Sequence, residues 1–377
     1  MHYHQGRDGF VMQPAAWHRS LWAKGLADLP VYQPGRPLKE VARELDLPLN
    51  HLIKLASNEN PLGPSPKAIK AMQQGASQTH LYPDGNAFYL RNRLAKKLKV
   101  EPNNLIFGNG SNEIIEFVAH ALLGPGTNIV ASQYCFAIYP IAAHLAGADC
   151  ITVPARQYGH NLTAMLKAIT SETRVVFVAN PNNPTGTLAP RNEVLNLIEN
   201  FPDQVLLVLD EAYFEFLDDP VNMISFIHSM PNLLLMRTFS KIYGLAGLRV
   251  GYGIGHPTFI SALEKVRQPF NLNAMAQAAA LAALDDDIHL HQTRETNKIG
   301  LKYFESEFEK LGIEFVPSHA NFILVRVGNG QQTFLDLQKC GIITRPMGGY
   351  QLPEWIRITV GTAEQNERCL NALIDLR

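Results

Sequence analysis

Lys241 stands in the stretch TFSKIYGLAGLRVGY (238–252), among apolar residues and glycines. A lysine in such company ordinarily reaches its ammonium out to water. Here Gly244, Gly247, Gly251, Gly253 and Gly255 crowd one segment, the pattern expected where a backbone passes close to something or adopts positive φ. An amine held there can form a Schiff base with a carbonyl compound.

Three further stretches place polar groups after apolar runs. In VLLVLDEAYFEF (205–216), Asp210, Glu211 and Tyr213 follow five apolar residues. An aspartate leaving a sheet core must find a cation or shift its pKa, and a ligand cation would serve. In ANPNNPTG (179–186) a rigid turn accounts for the prolines and Gly186, while Asn183, after the apolar RVVFVA, has an amide able to donate to a ligand oxygen. In FGNGSNEIIEF (107–117) a glycine turn leads into a helix whose first turn holds Ser111, Asn112 and Glu113. Free N–H groups at such a start suit a phosphate, although Ser111 alone would also serve as an ordinary cap. The third glycine of a dinucleotide fingerprint is missing. A phosphate cradle, an aspartate for a pyridinium, an amide and a phenol for a phenolate oxygen, and a Schiff-base lysine together describe a pyridoxal phosphate site.

Positioning these groups requires a sheet. From Asn104 onward, β-rich runs alternate with helical patterns: NLIFGNG, NIVAS, RVVFVA, QVLLVLD and NLLLMRT, with helical stretches between several of them. Runs apolar on both faces belong to a mostly parallel sheet flanked by helices, and ligands bind such sheets at the carboxyl ends of the strands. Asn109, Asn183, Asp210 and Lys241 all fall there. After about residue 270 the pattern changes to a long helical stretch ending at Gly312, with Phe304, Phe308 and Leu311 at helical spacing, followed by short strands. The expected organisation is an amino-terminal arm and helix (1–57), a large α/β domain (58–270) and a smaller α+β domain (271–377).

The totals narrow the partners. A net charge of −1 gives no field for nucleic acid or an acidic membrane, which leaves small molecules. Four cysteines without a CxxC pair indicate neither a zinc site nor a disulfide framework, so no metal is expected and a reducing cytoplasm fits best. MHYHQGRDGF lacks the apolar core of a signal peptide, and YCFAIYPIAA is broken by Pro140 well short of the roughly 20 residues of a membrane span.

NPNNPTG, DEAY and SKIYGLAGLRVGY resemble the signature blocks of fold-type-I pyridoxal phosphate aminotransferases. KLASNENPLGPSP (54–66), YPDG (82–85) and RITVGT (357–362) are similar to those of the histidinol-phosphate aminotransferases. The resemblance runs from about residue 30 to the end. It implies Lys241 as the Schiff-base lysine, Asp210 as partner of the pyridine nitrogen, and Tyr213 and Asn183 as donors to the ring oxygen. Thr238, Ser240 and Arg249 would hold the phosphate with the backbone at Ser111 and Asn112, and Phe136 would stack on the ring where many relatives carry tyrosine. Tyr82, otherwise a turn tyrosine, would reach the neighbouring subunit's site in a homodimer. Tyr32, Arg345 and Arg357 would bind the anionic groups of histidinol phosphate and glutamate, both arginines facing the cofactor cleft from strand ends, and Asn183 would also contact the substrate. The implied activity is amino transfer between L-glutamate and imidazole-acetol phosphate in histidine biosynthesis. Its rivals are an aromatic amino-acid aminotransferase, a phosphothreonine-type decarboxylase and an aminotransferase-like regulatory protein. The last would need a DNA-binding domain, yet no basic recognition helix is evident ahead of SNENPLG.

Overall fold

The structure, a computed structural model, describes residues 38–377 together with Leu26 and Leu29. A short helix (Leu38–Glu44) leads to β1 (Ile53–Lys54). The large sheet follows, built from β2 (Leu105–Asn109), β3 (Asn128–Ser132), β4 (Asp149–Val153), β5 (Thr173–Ala179), β6 (Leu206–Asp210), β7 (Leu233–Thr238) and β8 (Val250–Gly255). Their order is β2-β8-β7-β6-β5-β3-β4, and β8 alone runs antiparallel to its neighbours. The expected fold-type-I architecture, a mostly parallel sheet flanked by helices with a smaller α+β domain, is what forms.

The apolar runs are continuous because side chains alternate between two buried faces. Val176, Val178, Leu207, Leu209, Leu233 and Leu235 join one core, with the helices Phe88–Leu98, Arg191–Glu199 and Ala274–Ala283. Val175, Phe177, Leu206, Val208, Leu234 and Met236 join the other, under the helices Gly110–Leu122 and Ile138–Leu145. Two strands carry little of that signal. Asp149–Val153 is a half-exposed edge strand, and Val250–Gly255 alternates glycines with side chains.

The smaller domain holds β9 (Phe315–Val316), β10 (Phe322–Arg326), β11 (Ile342–Ile343), β12 (Arg345–Pro346) and β13 (Trp355–Thr359). β12-β13-β10-β9 form an antiparallel sheet, and β1 pairs in parallel with β11. The long helix Asp287–Leu311 buries Phe304 and Phe308 against this sheet and ends at Gly312 in the left-handed region, as the spacing predicts, though Leu311 stays partly exposed. Leu272 and Ala276–Leu284 pack with the large core, whereas Ile53 and Leu55 pack with the small one. We therefore propose that the large domain ends near the start of the long helix rather than at residue 270.

Candidate active site

The ends of β5, β6 and β7 and the start of the helix Gly110–Leu122 surround a cavity of about 450 Å³. Ser111, Asn112, Phe136, Asn183, Asp210, Tyr213, Thr238, Ser240, Lys241 and Arg249 all line it. Glycine makes this convergence possible at two points. A Cβ on Gly251 would overlap the backbone nitrogen of Ser111, and Gly244, at φ +69°, would carry its Cβ into the Gly63 carbonyl. The first lets β8 pass against the helix start, and the second seats the Lys241 loop against the final glycine of SNENPLG.

One end of the cavity suits an anion. Ser111 and Asn112, in the first turn of the helix Gly110–Leu122, line it, and the unbonded N–H groups and dipole of a helix start favour negative charge. Arg249 lies against Gly110 with Nη1 3.5 Å from Ser240 Oγ. The Thr238 hydroxyl donates to the Val250 carbonyl (3.2 Å) and accepts from the Ser240 amide (3.0 Å), which fixes this rim.

The floor carries a carboxylate with neutral partners. Asp210 is buried; its Oδ2 accepts from the Tyr139 hydroxyl (2.7 Å) and its Oδ1 from the Ala212 amide (3.1 Å). Burial raises its pKa, and these hydrogen bonds with the nearby Lys241 charge oppose the rise. Tyr139 stacks on Phe177 at 4.5 Å and meets Phe136 edge-on at 5.7 Å, so two rings support the phenol that holds Asp210.

Lys241 Nζ donates to the Ser57 carbonyl (3.3 Å). Burial, then the positive charges of Arg357 and Arg249, bring its pKa down to about 8, with Glu59 and Asp210 opposing. An amine so placed loses its proton near pH 8, well before an exposed lysine would. Tyr213 Oη accepts from Asn58 Nδ2 (2.8 Å), and burial pushes the phenol up to about 12, so it keeps its proton.

The two arginines expected at the substrate are placed differently. Arg357 is buried, donating through Nη2 to the Ala56 carbonyl (2.9 Å) and through Nη1 to Asn183 Oδ1. Arg345 is half-buried and directly opposite Arg357 in the β12–β13 register, which points both side chains to one face of the sheet. Neither guanidinium lines the cavity; Arg357 meets it through Asn183. Tyr82 is 84% exposed, stacked on Phe270 at 5.0 Å and outside the cavity of its own chain. Tyr32 lies outside the described residues. Asn109, also at a strand end, donates to the Asn271 carbonyl (2.6 Å) and does not line the cavity.

Sequence reasoning missed Ser57, Glu59 and Tyr139 in the cavity wall and Asn58 behind it. SNENPLG gave a signal for the segment without assigning its residues. Tyr139 could have been found three positions after Phe136, close to one helical turn.

Residues 50–373 match the sequence model of aminotransferase class I and II. The chain belongs to that family. It is 49% identical over 347 residues to histidinol-phosphate aminotransferase of Akkermansia muciniphila, covering 92% of this chain and 96% of that protein. It is 51% identical over 344 residues to histidinol-phosphate aminotransferase 1 of Thiobacillus denitrificans, covering 91% and 90%. The crystal structure of histidinol-phosphate aminotransferase from Sinorhizobium meliloti in complex with pyridoxal-5'-phosphate matches this aminotransferase with a TM-score of 0.86 at 27% identity, over 95% of this chain and 99% of that one.

Proposed function

We propose that the enzyme transfers the amino group of L-glutamate to imidazole-acetol phosphate, giving L-histidinol phosphate and 2-oxoglutarate in histidine biosynthesis, with pyridoxal 5'-phosphate as cofactor. The observation that carries the substrate is identity of 49% and 51%, over nine-tenths of the chain, to relatives bearing that name. The cofactor fits the residues present. An anion end, a buried carboxylate with neutral partners and an amine of lowered pKa share one cavity, as a phosphorylated pyridine aldehyde requires.

When bound, pyridoxal phosphate supplies the carbonyl that takes up an amino group and the ring that accepts the electrons left at Cα. The chain supplies the rest. Ser111, Asn112, Thr238, Ser240 and Arg249 hold the phosphate, the arginine with a permanent charge. Asp210 holds the proton on the pyridine nitrogen, which a neutral side chain would not do. Tyr213 and Asn183 donate to the ring oxygen, and Phe136 covers one ring face. Lys241 would anchor the cofactor through its amine and would move the proton at Cα, a task suited to an amine with a pKa of about 8.

Arg357, Arg345 and Tyr32 form the anion site shared by the two substrates. The enzyme acts as a homodimer in the cytoplasm, with Tyr82 of each subunit completing the other's cavity. Among the described residues, no helix is long and apolar enough to cross a membrane. The test is a panel of amino donors to 2-oxoglutarate: histidinol phosphate should exceed phenylalanine, tyrosine and aspartate in kcat/KM. Preference for phenylalanine would replace this reading with an aromatic amino-acid aminotransferase.

A further inference from the structure

We infer that Asn58 is a positioning residue: its amide aims the Tyr213 hydroxyl proton into the cavity and ties that phenol to the strand that carries Arg357. The inference rests on the proposed role of Tyr213 as donor to the cofactor's ring oxygen.

Asn58 is almost completely buried and sits at φ 55°, a left-handed conformation that asparagine tolerates better than most residues with a side chain. Its surroundings determine which way the amide faces. The Asn58 backbone N–H donates to Thr359 Oγ1 (2.9 Å), and the Thr359 hydroxyl in turn donates to Asn58 Oδ1 (3.3 Å). The oxygen end is therefore engaged, and the NH₂ end faces Tyr213 Oη at 2.8 Å. A phenol has one proton and an oxygen that can accept. With Asn58 donating to that oxygen, the Tyr213 proton must point elsewhere, and Tyr213 lines the cavity.

The opposite end of the chain of contacts lies in the small domain. Thr359 is two residues beyond Arg357 on β13, hence on the same side of the strand. Asn321, just before β10, donates to the Asn58 carbonyl (3.0 Å), and Arg357 donates to the Ala56 carbonyl. One amide thus links the strand of the substrate-side arginine to the phenol at the cofactor. The charged and titratable groups around Tyr213 include Arg357, Asp210, Tyr139, Tyr350 and Lys241, and none of them is altered when Asn58 alone is changed.

The experiment follows the pH-dependent visible absorption of the cofactor-loaded enzyme. A donor to the ring oxygen favours its charged form, so losing the donor moves the colour change to higher pH. Tyr213→Phe should raise the midpoint by about one pH unit, the size of one charge-assisted hydrogen bond. Asn58→Asp, isosteric and tolerant of positive φ, can only accept when ionised; it should capture the Tyr213 proton and give at least the same rise, its own negative charge adding to it. Asn58→Gly keeps the backbone conformation without the amide and should give a smaller rise. Asn58→Gly, which adds no charge, combined with Tyr213→Phe should add nothing to Tyr213→Phe alone. If Tyr213→Phe moves the midpoint and neither Asn58 variant does, or if the double variant shifts by the full sum, the role of Asn58 is overturned while the proposed function stands. If Tyr213→Phe leaves the midpoint in place, the ring-oxygen role of Tyr213 fails, and that of Asn58 with it.

Discussion

Asp210 and Glu211 are neighbours at the end of one strand, and each accompanies a buried or half-buried cation, yet the two pairs are built on different terms. On the cavity side, Asp210 is held by a phenol and a backbone amide, and Lys241 by a carbonyl. On the other side, Arg237 donates from Nε to Glu211 Oε2 at 2.8 Å, both side chains nearly sealed, with the guanidinium 3.5 Å over the Phe214 ring. Burial alone would lower the pKa of Arg237, but Glu211 pulls it above its ordinary value. The Lys241 pKa falls instead. Charges already neutralised by each other maintain the fold, whereas charges held only by neutral groups remain available to a ligand.

Removing the cavity cation should have the largest effect. Lys241→Ala should reduce turnover by more than about 10⁴-fold, because it removes the covalent anchor together with a general base worth about 10²–10⁴ by itself. Its melting temperature without cofactor should not fall. Borohydride reduction and peptide mapping of the wild type should place the cofactor on Lys241, and a label on another lysine would end the assignment.

Breaking the paired region should instead unfold the protein. Glu211→Gln leaves the Arg237 charge buried opposite a neutral amide, which should cost about 3–5 kcal/mol in urea denaturation while the folded fraction keeps its turnover. Glu215 is nearby, its carboxyl pushed up to about 7 by burial despite Arg237. A loss under about 1 kcal/mol would mean that Glu215 takes over the guanidinium. Asp210→Asn should do the reverse: turnover falls about 10²–10³-fold, the scale of one preorganised electrostatic group, and stability barely changes. Near wild-type turnover would remove Asp210 from the mechanism.

How much of this was legible in the sequence differs between the same two regions. The cavity groups could be read because each follows an apolar run, and an unpaired polar group at a buried strand end needs a reason. The Arg237–Glu211 pair could not, since Arg237 interrupts one strand pattern and Glu211 follows another without anything to show that they face each other. Asn58 was hidden for a stronger reason: its partner Thr359 is 301 positions away, and only the folded chain brings them together. The domain limits blurred for a related reason. Ala274–Ala283 is so rich in alanine that its pattern does not say which core it will join, and close packing on the helix Pro66–Gly75 decides it. Among the strands, Val250–Gly255 escaped because the glycines that admit the Ser111 backbone erase the alternation that marks a strand.

The smallest effect separates the two cations by pH. In the cofactor-free enzyme the folded Lys241 has a pKa of about 8 against an ordinary 10.5. Below pH 8 both folded and unfolded chains carry its proton, so the cost of holding the charge in the cavity is fully present. Between about pH 8 and 10.5 the unfolded chain binds more protons than the folded one, and stability due to this residue therefore rises with pH, by at most about 1.4 kcal/mol per unit. Lys241→Met should accordingly be more stable than wild type at pH 7, with an advantage that shrinks steadily toward pH 10.5. Arg237 keeps its proton throughout that window in both states; because Glu211 and Glu215 would titrate at higher pH once it is gone, the comparison variant neutralises all three (Arg237→Met with Glu211→Gln and Glu215→Gln), and its difference from wild type should show no matching trend. Urea denaturation at half-unit steps of pH measures both differences. A flat Lys241→Met difference would mean that the cavity leaves the lysine as well solvated as an exposed one, and the contrast between the two regions would fail at its cation.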